Sequence, residues 1–141
     1  MLKKNVRKGI ILIVINSKGK CLLLIQNKDN MYSFISGGCE LGEAELDTVV
    51  REAKEEAGLN IDKDKLIDTG KFVSFIGGSK GPAQQKAFLY KIDTGDIAIK
   101  TEDTNEVKGY KWCSEGEVMV NLAEKTPLIE LFQDLKESEL I

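Results

Sequence analysis

Apolar residues in this chain come in short bounded runs separated by turn-forming residues. The first predicted element covers residues 6–16, where Ile10, Ile11, Leu12, Ile13, Val14 and Ile15 are consecutive. A short bounded run of this kind reads as a buried strand. Asn16-Ser17-Lys18-Gly19 is a turn signal, and a second apolar run follows over 21–26, so the two runs read as a hairpin. A polar loop over 27–30 precedes a short aromatic strand over 32–35, which ends at Gly37-Gly38.

The period then changes. Leu46, Val49, Val50, Ala53 and Ala57 recur at helical spacing, which predicts a helix over 46–57 with Gly58 as its C-terminal cap. Residues 66–76 and 87–92 read as strands joined by a loop over 77–82 that contains Gly and Pro. An acidic loop over 101–106 leads into a strand over 107–113. Leu128, Ile129, Leu131, Phe132 and Leu135 predict an amphipathic helix over 126–136, with Pro127 in its first turn. Strands, helix, strands, helix: that order predicts an α+β fold in which helices pack on a mixed central sheet.

Composition narrows the function. The 141 residues fit one domain, 1–141, and at 42% hydrophobic they supply a sizeable core. With 30% charged residues, a soluble protein is expected. The formal net charge of −3 argues against a general nucleic-acid binder or a reader of duplex DNA, which need a basic footprint. An acidic protein that handles a polyanion needs a local positive charge, and a bound metal ion would supply it. The three cysteines, Cys21, Cys39 and Cys113, form no CxxC pair, which favours a reducing compartment over a disulfide framework. There is no histidine, so Ser-His-Asp and Cys-His catalysis are excluded and acid–base work falls to Glu, Asp, Lys, Tyr or water. The apolar run over 10–15 is too short for a signal segment or membrane span, and a cytoplasmic location without membrane contact is expected.

The chemistry concentrates in residues 37–59. Glu52, Glu55 and Glu56 stand at i, i+3 and i+4, within an arc of about 100° on one helix face. The expectation is that this face is separate from the apolar stripe. Like charges so placed repel, and a hard divalent cation between them removes the cost. Gly37, Gly38 and Gly42 precede the helix and allow close approach of backbone to a ligand. Glu43 lies near the helix N-terminus, and Arg51 is placed to orient Glu43 or Glu56 through a charge-assisted bond. The plain alternative for the three glutamates is a solvated acidic face, and for Arg51 an i, i+4 pair with Glu55.

This segment resembles the Nudix box, G-x5-E-x7-R-E-U-x-E-E-x-G-U with U aliphatic, through Gly37, Glu43, Arg51, Glu52, Ala53, Glu55, Glu56, Gly58 and Leu59. Ala53 is small for its aliphatic position, and Ser36 stands where many members carry proline. The resemblance implies an α/β/α sandwich and a MutT-like hydrolase that cleaves a nucleoside diphosphate linked to a group X. It implies Mg2+, with Mn2+ as the alternative ion, held by Glu52, Glu55, Glu56 and the carbonyl of Gly37 or Gly38. The general base stays open among Glu52, Glu56 and the acidic loop, where Glu102, Asp103 and Glu106 are candidates and Glu106 is favoured. Tyr32, Phe34 and Trp112 are candidates to stack on a base, Tyr32 first, although strand aromatics more often pack in cores. Arg7 and Lys8 at the first strand are candidate phosphate contacts, against the plainer reading of a solvated strand end.

The downstream marks of the ADP-ribose and dinucleoside polyphosphate subclasses are missing, since Ser74, Phe75 and Ile76 occupy that region, and the upstream signature of coenzyme A pyrophosphatases is missing too. The remaining resemblance is to nucleoside triphosphate pyrophosphohydrolases, with Asn121 as a candidate reader of a base edge. Alternatives are hydrolysis of nucleotide-sugars, dinucleoside polyphosphates or RNA 5' ends, and a non-catalytic nucleotide-sensing domain. The resemblance admits a homodimer, for which the sequence locates no exposed apolar patch.

Overall fold

The computed structural model describes residues 6–77 and 81–141. The basic start of the chain and part of the loop over 77–82 therefore lie outside the described residues. Strand β1 (Arg7–Ile15) is the axis of the fold. Its consecutive apolar residues alternate between two cores: Ile11 and Ile13 belong to one, Ile10, Leu12 and Val14 to the other. That two-sided burial is why the sequence shows an unbroken apolar run here.

β2 (Cys21–Gln26) follows a turn that forms as predicted. Gly19 has φ 75°, and the Asn16 side chain accepts from the Lys18 and Lys20 amides at 3.0 Å each. Beyond the turn, however, the two strands share a single register pair, Ile15↔Cys21. β1 runs parallel to β6 (Ala83–Lys91) from Arg7↔Ala83 to Ile15↔Lys91, and antiparallel to β4 (Ile35–Gly38). β2 instead pairs with β7 (Val107–Cys113) and with β3 (Tyr32–Ser33). The predicted hairpin is thus a splayed corner. Uniformly apolar strands carry no alternation to specify a partner, so longer-range pairings take over. β5 (Ile67–Phe75) completes the seven-stranded mixed sheet as an antiparallel neighbour of β6.

Helix α1 (Glu45–Ala57) covers one side of this sheet, where Val49, Ala53 and Ala57 pack with Phe88 and Trp112. Two helices, α2 (Glu115–Asn121) and α3 (Thr126–Glu137), cover the other, where Val118, Leu122, Leu131 and Phe132 meet Phe34. The result is the α/β/α sandwich that the box resemblance implies. The sequence reading missed α2, although Ser114 and Glu117 form a capping box whose S-x-x-E spacing is visible in the chain. It also missed the 3-10 turn Lys63–Lys65 and the short length of β6 before Ala87.

Gly58 ends α1 at φ 66°, its amide bonding the carbonyls of Ala53 and Lys54. A Cβ there would lie 2.3 Å from the Lys100 carbonyl oxygen. This glycine is needed for both its dihedral and its lack of a side chain. Among the described residues no helix is long and apolar enough to cross a membrane.

Candidate active site

The face that α1 buries differs from the expected one. Its buried positions are Thr48, Val49, Glu52, Ala53, Glu56 and Ala57, while Leu46 is exposed. Two of the three glutamates therefore point inward beside the apolar stripe rather than away from it. Glu52 is 9% exposed and Glu56 4% exposed. The buried sector of the helix reaches past its apolar residues because β4, with its two glycines, leaves room for carboxylates.

Gly37 shows how tight that room is. An ideal Cβ on Gly37 would lie 2.2 Å from the Glu52 Cδ and 2.3 Å from its Oε1. The Glu52 carboxylate occupies the space that any other residue at 37 would fill. Glu56 reaches the neighbouring residue of the strand, accepting from the Ser36 amide at 3.0 Å.

Arg51 ties this pair of elements together. Its Nε and Nη2 donate to the two oxygens of Glu43, each at 2.9 Å, a bidentate clamp. Nη2 also donates to the Gly38 carbonyl at 3.0 Å, and Nη1 donates to Glu52 Oε1 at 2.8 Å. The contact with Glu55 is longer, at 3.4 Å. Arg51 thus orients Glu43 and Glu52, and among the described residues it makes no bond to Glu56. The guanidinium holds the Glu43 carboxyl down to about 2, helped by the Glu40 amide and the Thr48 hydroxyl.

The acidic loop is attached to the same helix. Residues in the last turn of a helix have carbonyls without intrahelical partners. The Glu55 carbonyl is one of these, and it accepts from the Glu102 amide at 2.8 Å, the Asp103 amide at 2.9 Å and the Thr101 hydroxyl at 3.2 Å. The Glu102 side chain pairs with Lys54 at 3.0 Å. Asp103 and Glu106 face it electrostatically. Burial pushes the Glu56 carboxyl up to about 8 despite the Ser36 amide, and Glu52, Glu106 and Asp103 add repulsion. Glu52 is also raised, by burial first, with Glu55 and Glu106 contributing and Arg51 opposing. Glu55 is half-exposed, with 46% of its side-chain surface accessible.

Four glutamates from the sequence reading, Glu52, Glu55, Glu56 and Glu106, are therefore close enough to repel one another across one patch. Among the described residues, however, no three acidic or thiol side chains already converge on a single point. Glu52 is turned to Arg51 and Glu56 to Ser36. The donor set is nonetheless that of a hard cation: oxygen-only, carboxylate-rich and short of positive charge, beside a glycine backbone where a side chain would not fit.

A cleft of about 420 Å³ opens next to this patch and shares Ser36 with it. Ile11, Phe34, Phe75, Ala83 and Leu128 form its walls, and Arg7, Ser33, Gln85 and Lys125 supply its polar groups. A second cleft of about 360 Å³ is lined by Glu56 with Thr101, Thr104, Lys108 and Tyr110. Tyr32 contributes to the first cleft only indirectly. Its ring packs against the α2–α3 core, and its carbonyl accepts from Lys125 Nζ at 2.7 Å. Trp112 is buried, its Nε1 donating to the Ile97 carbonyl at 2.8 Å, so it is a core residue. Asn121 bonds Cys113 Sγ at 3.6 Å and does not line this cleft. Lys125, one turn further along the chain, lines it instead. Neither Lys125 nor Gln85 carried a sequence signal, because both are ordinary surface residue types outside any motif.

The fold is an α/β/α domain that carries a glycine–carboxylate site, and comparison gives it a family. The NUDIX domain model matches residues 5–135, and the chain belongs to that family. The MutT protein from Methanosarcina mazei Go1 superposes with a TM-score of 0.82 at 19% identity, over 99% of this chain and 99% of that one. The C. elegans Ap4A hydrolase in a binary complex gives 0.78 at 20% identity, over 96% and 98%. The E. coli dihydroneopterin triphosphate pyrophosphohydrolase gives 0.68 at 20% identity, over 85% and 88%. These likenesses show the fold. In sequence, an RNA pyrophosphohydrolase from Ruthia magnifica subsp. Calyptogena magnifica is 34% identical over 61 residues, 43% of this chain. The match spans about a third of that relative, 34% of its length.

Proposed function

We propose that this chain is a cytoplasmic, divalent-cation-dependent pyrophosphohydrolase that cuts nucleoside diphosphate-X substrates, nucleoside triphosphates first among them. The observation that supports it most is the packing of the Glu52 and Glu56 carboxylates against Gly37 and Ser36, with no cation but Arg51 bonded to either among the described residues. Burial disfavours the ionised form of both carboxyls, and a hard ion between them would restore it. Glu52, Glu55 and Glu56, with the Gly37 carbonyl, would hold Mg2+, or Mn2+ in its place. When bound, the ion neutralises the charge that develops on the phosphate oxygens.

The chain's own residues do the rest. Water adds to a phosphorus of the triphosphate, the bridging P–O bond breaks, and pyrophosphate leaves from the nucleoside monophosphate. The proton lost by water goes to a carboxylate. Glu106 is the residue we assign, because it faces the buried pair from a loop fixed to the Glu55 carbonyl, and its side chain is exposed to solvent. Arg51 keeps Glu52 and Glu43 in place through its fork of bonds. The 420 Å³ cleft receives the nucleoside: its apolar walls suit a flat ring, and Arg7 and Lys125 give a local positive field in an acidic protein.

A substrate panel of nucleoside triphosphates with Mg2+ or Mn2+ tests this reading, with Glu56→Gln as the control. Turnover to monophosphate and pyrophosphate is expected, with a loss of about a hundredfold or more in the variant. Full activity of Glu56→Gln would overturn the metal assignment, and no turnover of any nucleotide would favour a nucleotide-sensing role. The similarity to an RNA pyrophosphohydrolase supports a second substrate, the 5'-triphosphate end of RNA. A short 5'-triphosphorylated oligonucleotide in the same panel decides between them.

A further inference from the structure

Beyond its share of the cleft's positive field, Lys125 has no part in the hydrolysis described above, yet it is held in the wall of the 420 Å³ cleft at the start of α3. An ammonium carries three N–H donors and no acceptor. One of them goes to the Tyr32 carbonyl at 2.7 Å. Asp29 and Lys28 act on Lys125 only through their charge, with no ion-pair contact among the described residues, and no carboxylate lines the cleft. Two donors are left for whatever occupies it. Partial burial lowers the affinity of this amine for its proton, so the ammonium has lost water that a ligand acceptor would replace. Gln85 stands in the same cleft, and its amide has no hydrogen-bond partner among the described residues. Ile11, Phe34, Phe75, Ala83 and Leu128 form the apolar walls, and Arg7, Ser33 and Ser36 complete the lining.

We infer that Lys125 is a specificity-determining residue that selects purine nucleotides with a 6-oxo group, guanine or hypoxanthine, over those with a 6-amino group. The inference rests on the proposal that the cleft receives the nucleoside. Guanine presents two adjacent acceptors, O6 and N7, which match two donors of one lysine. Adenine offers N7 beside an N6 amino group, which places donor against donor. Gln85, with both a donor and acceptors, accommodates either ring. A phosphate is the poorer occupant, because the Arg7 guanidinium already donates to the Gly81 carbonyl at 3.1 Å and the apolar walls would strip water from the anion without replacing those bonds. Its place is beside the carboxylate patch and its cation.

Calorimetric titration of the full chain with GMP and with AMP, without added metal, tests this. Wild type is expected to bind GMP about tenfold more tightly than AMP, within the range of one good base-edge pair. Lys125→Met should lower GMP affinity about tenfold and leave AMP within about twofold. Lys125→Gln, which keeps a polar side chain at the rim, should shrink the preference to about threefold or less. Equal affinities in wild type, undetectable binding of both, or an equal fall for both in Lys125→Met would overturn the inference. An equal fall identifies a phosphate contact instead. Because monophosphates are not turned over, a retained GMP preference without any catalysis sinks only the hydrolase proposal. Catalysis without a purine preference sinks only this one.

Discussion

Gly37 and Glu52 occupy one site between them: the carboxylate of one lies 2.2 Å from where the other would carry a Cβ. The glutamate is buried and bonded to Arg51 at 2.8 Å, so it has little freedom to step aside. Gly37→Ala should therefore keep the fold while displacing the carboxylate. The expected result is a fall in kcat of about a hundredfold with a stability loss of only about 1–3 kcal/mol. Steady-state rates beside thermal melts check it, and wild-type activity in the variant would contradict it.

The buried glutamates set how stability follows pH. The Glu56 carboxyl titrates at about 8 in the fold, against 4.5 for an ordinary glutamate. Between those values the unfolded chain ionises while the folded one keeps its proton, so the folded state binds more protons. Cation-free protein should then lose stability as pH rises from about 4.5 to about 8, by an amount on the order of a few kcal/mol, and level off above. Glu52 shifts the same way. Glu43, held down to about 2, works oppositely and costs stability only as pH falls from about 4.5 toward 2. Mg2+ should raise the melting temperature most at and above about pH 8, where no proton competes with it for the Glu56 carboxylate. Melts across pH with Mg2+ or with a chelator measure both slopes.

Arg51→Lys keeps the charge and removes the fork. A lysine cannot bridge both Glu43 oxygens, the Gly38 carbonyl and Glu52 at once. The expected outcome is a kcat reduced about ten- to a hundredfold and a lower melting temperature. Arg51→Ala should be worse on both counts, since it strands two carboxylates. Rates and melts of the pair of variants are the check.

Gly58→Ala separates helix anchoring from chemistry. The position combines φ 66° with a carbonyl oxygen 2.3 Å from the added carbon. A loss of about 2 kcal/mol or more is expected in denaturant unfolding. Restored stability in the presence of Mg2+ would show that the ion and the cap hold the same end of α1.

The site was legible in sequence to the extent that its residues are adjacent in the chain. Residues 37–59 supply the glycine strand, the clamp and the glutamates within one strand–loop–helix unit, so spacing alone reports their proximity. The burial of Glu52 and Glu56 was not legible, because helix periodicity ranks polar residues outward and cannot see that glycines opposite leave room. The cleft was hidden for another reason. Arg7, Phe75, Gln85 and Lys125 come from four elements brought together only by the β1–β6 pairing and the placement of α3. The splayed corner at Asn16–Lys20 was missed in the same way, since turn chemistry fixes a reversal and not how long its arms stay paired.

The acidic loop hangs from α1 chiefly by two backbone amides, those of Glu102 and Asp103, on the Glu55 carbonyl. Every residue except proline carries such an amide. The suspension point is thus indifferent to which side chains the loop displays. Lineages could exchange the acid at Glu106 for another group, or shift it by a position, while inheriting the same placement relative to the helix. In the mechanism proposed above, the proton acceptor is a replaceable part on a fixed mount.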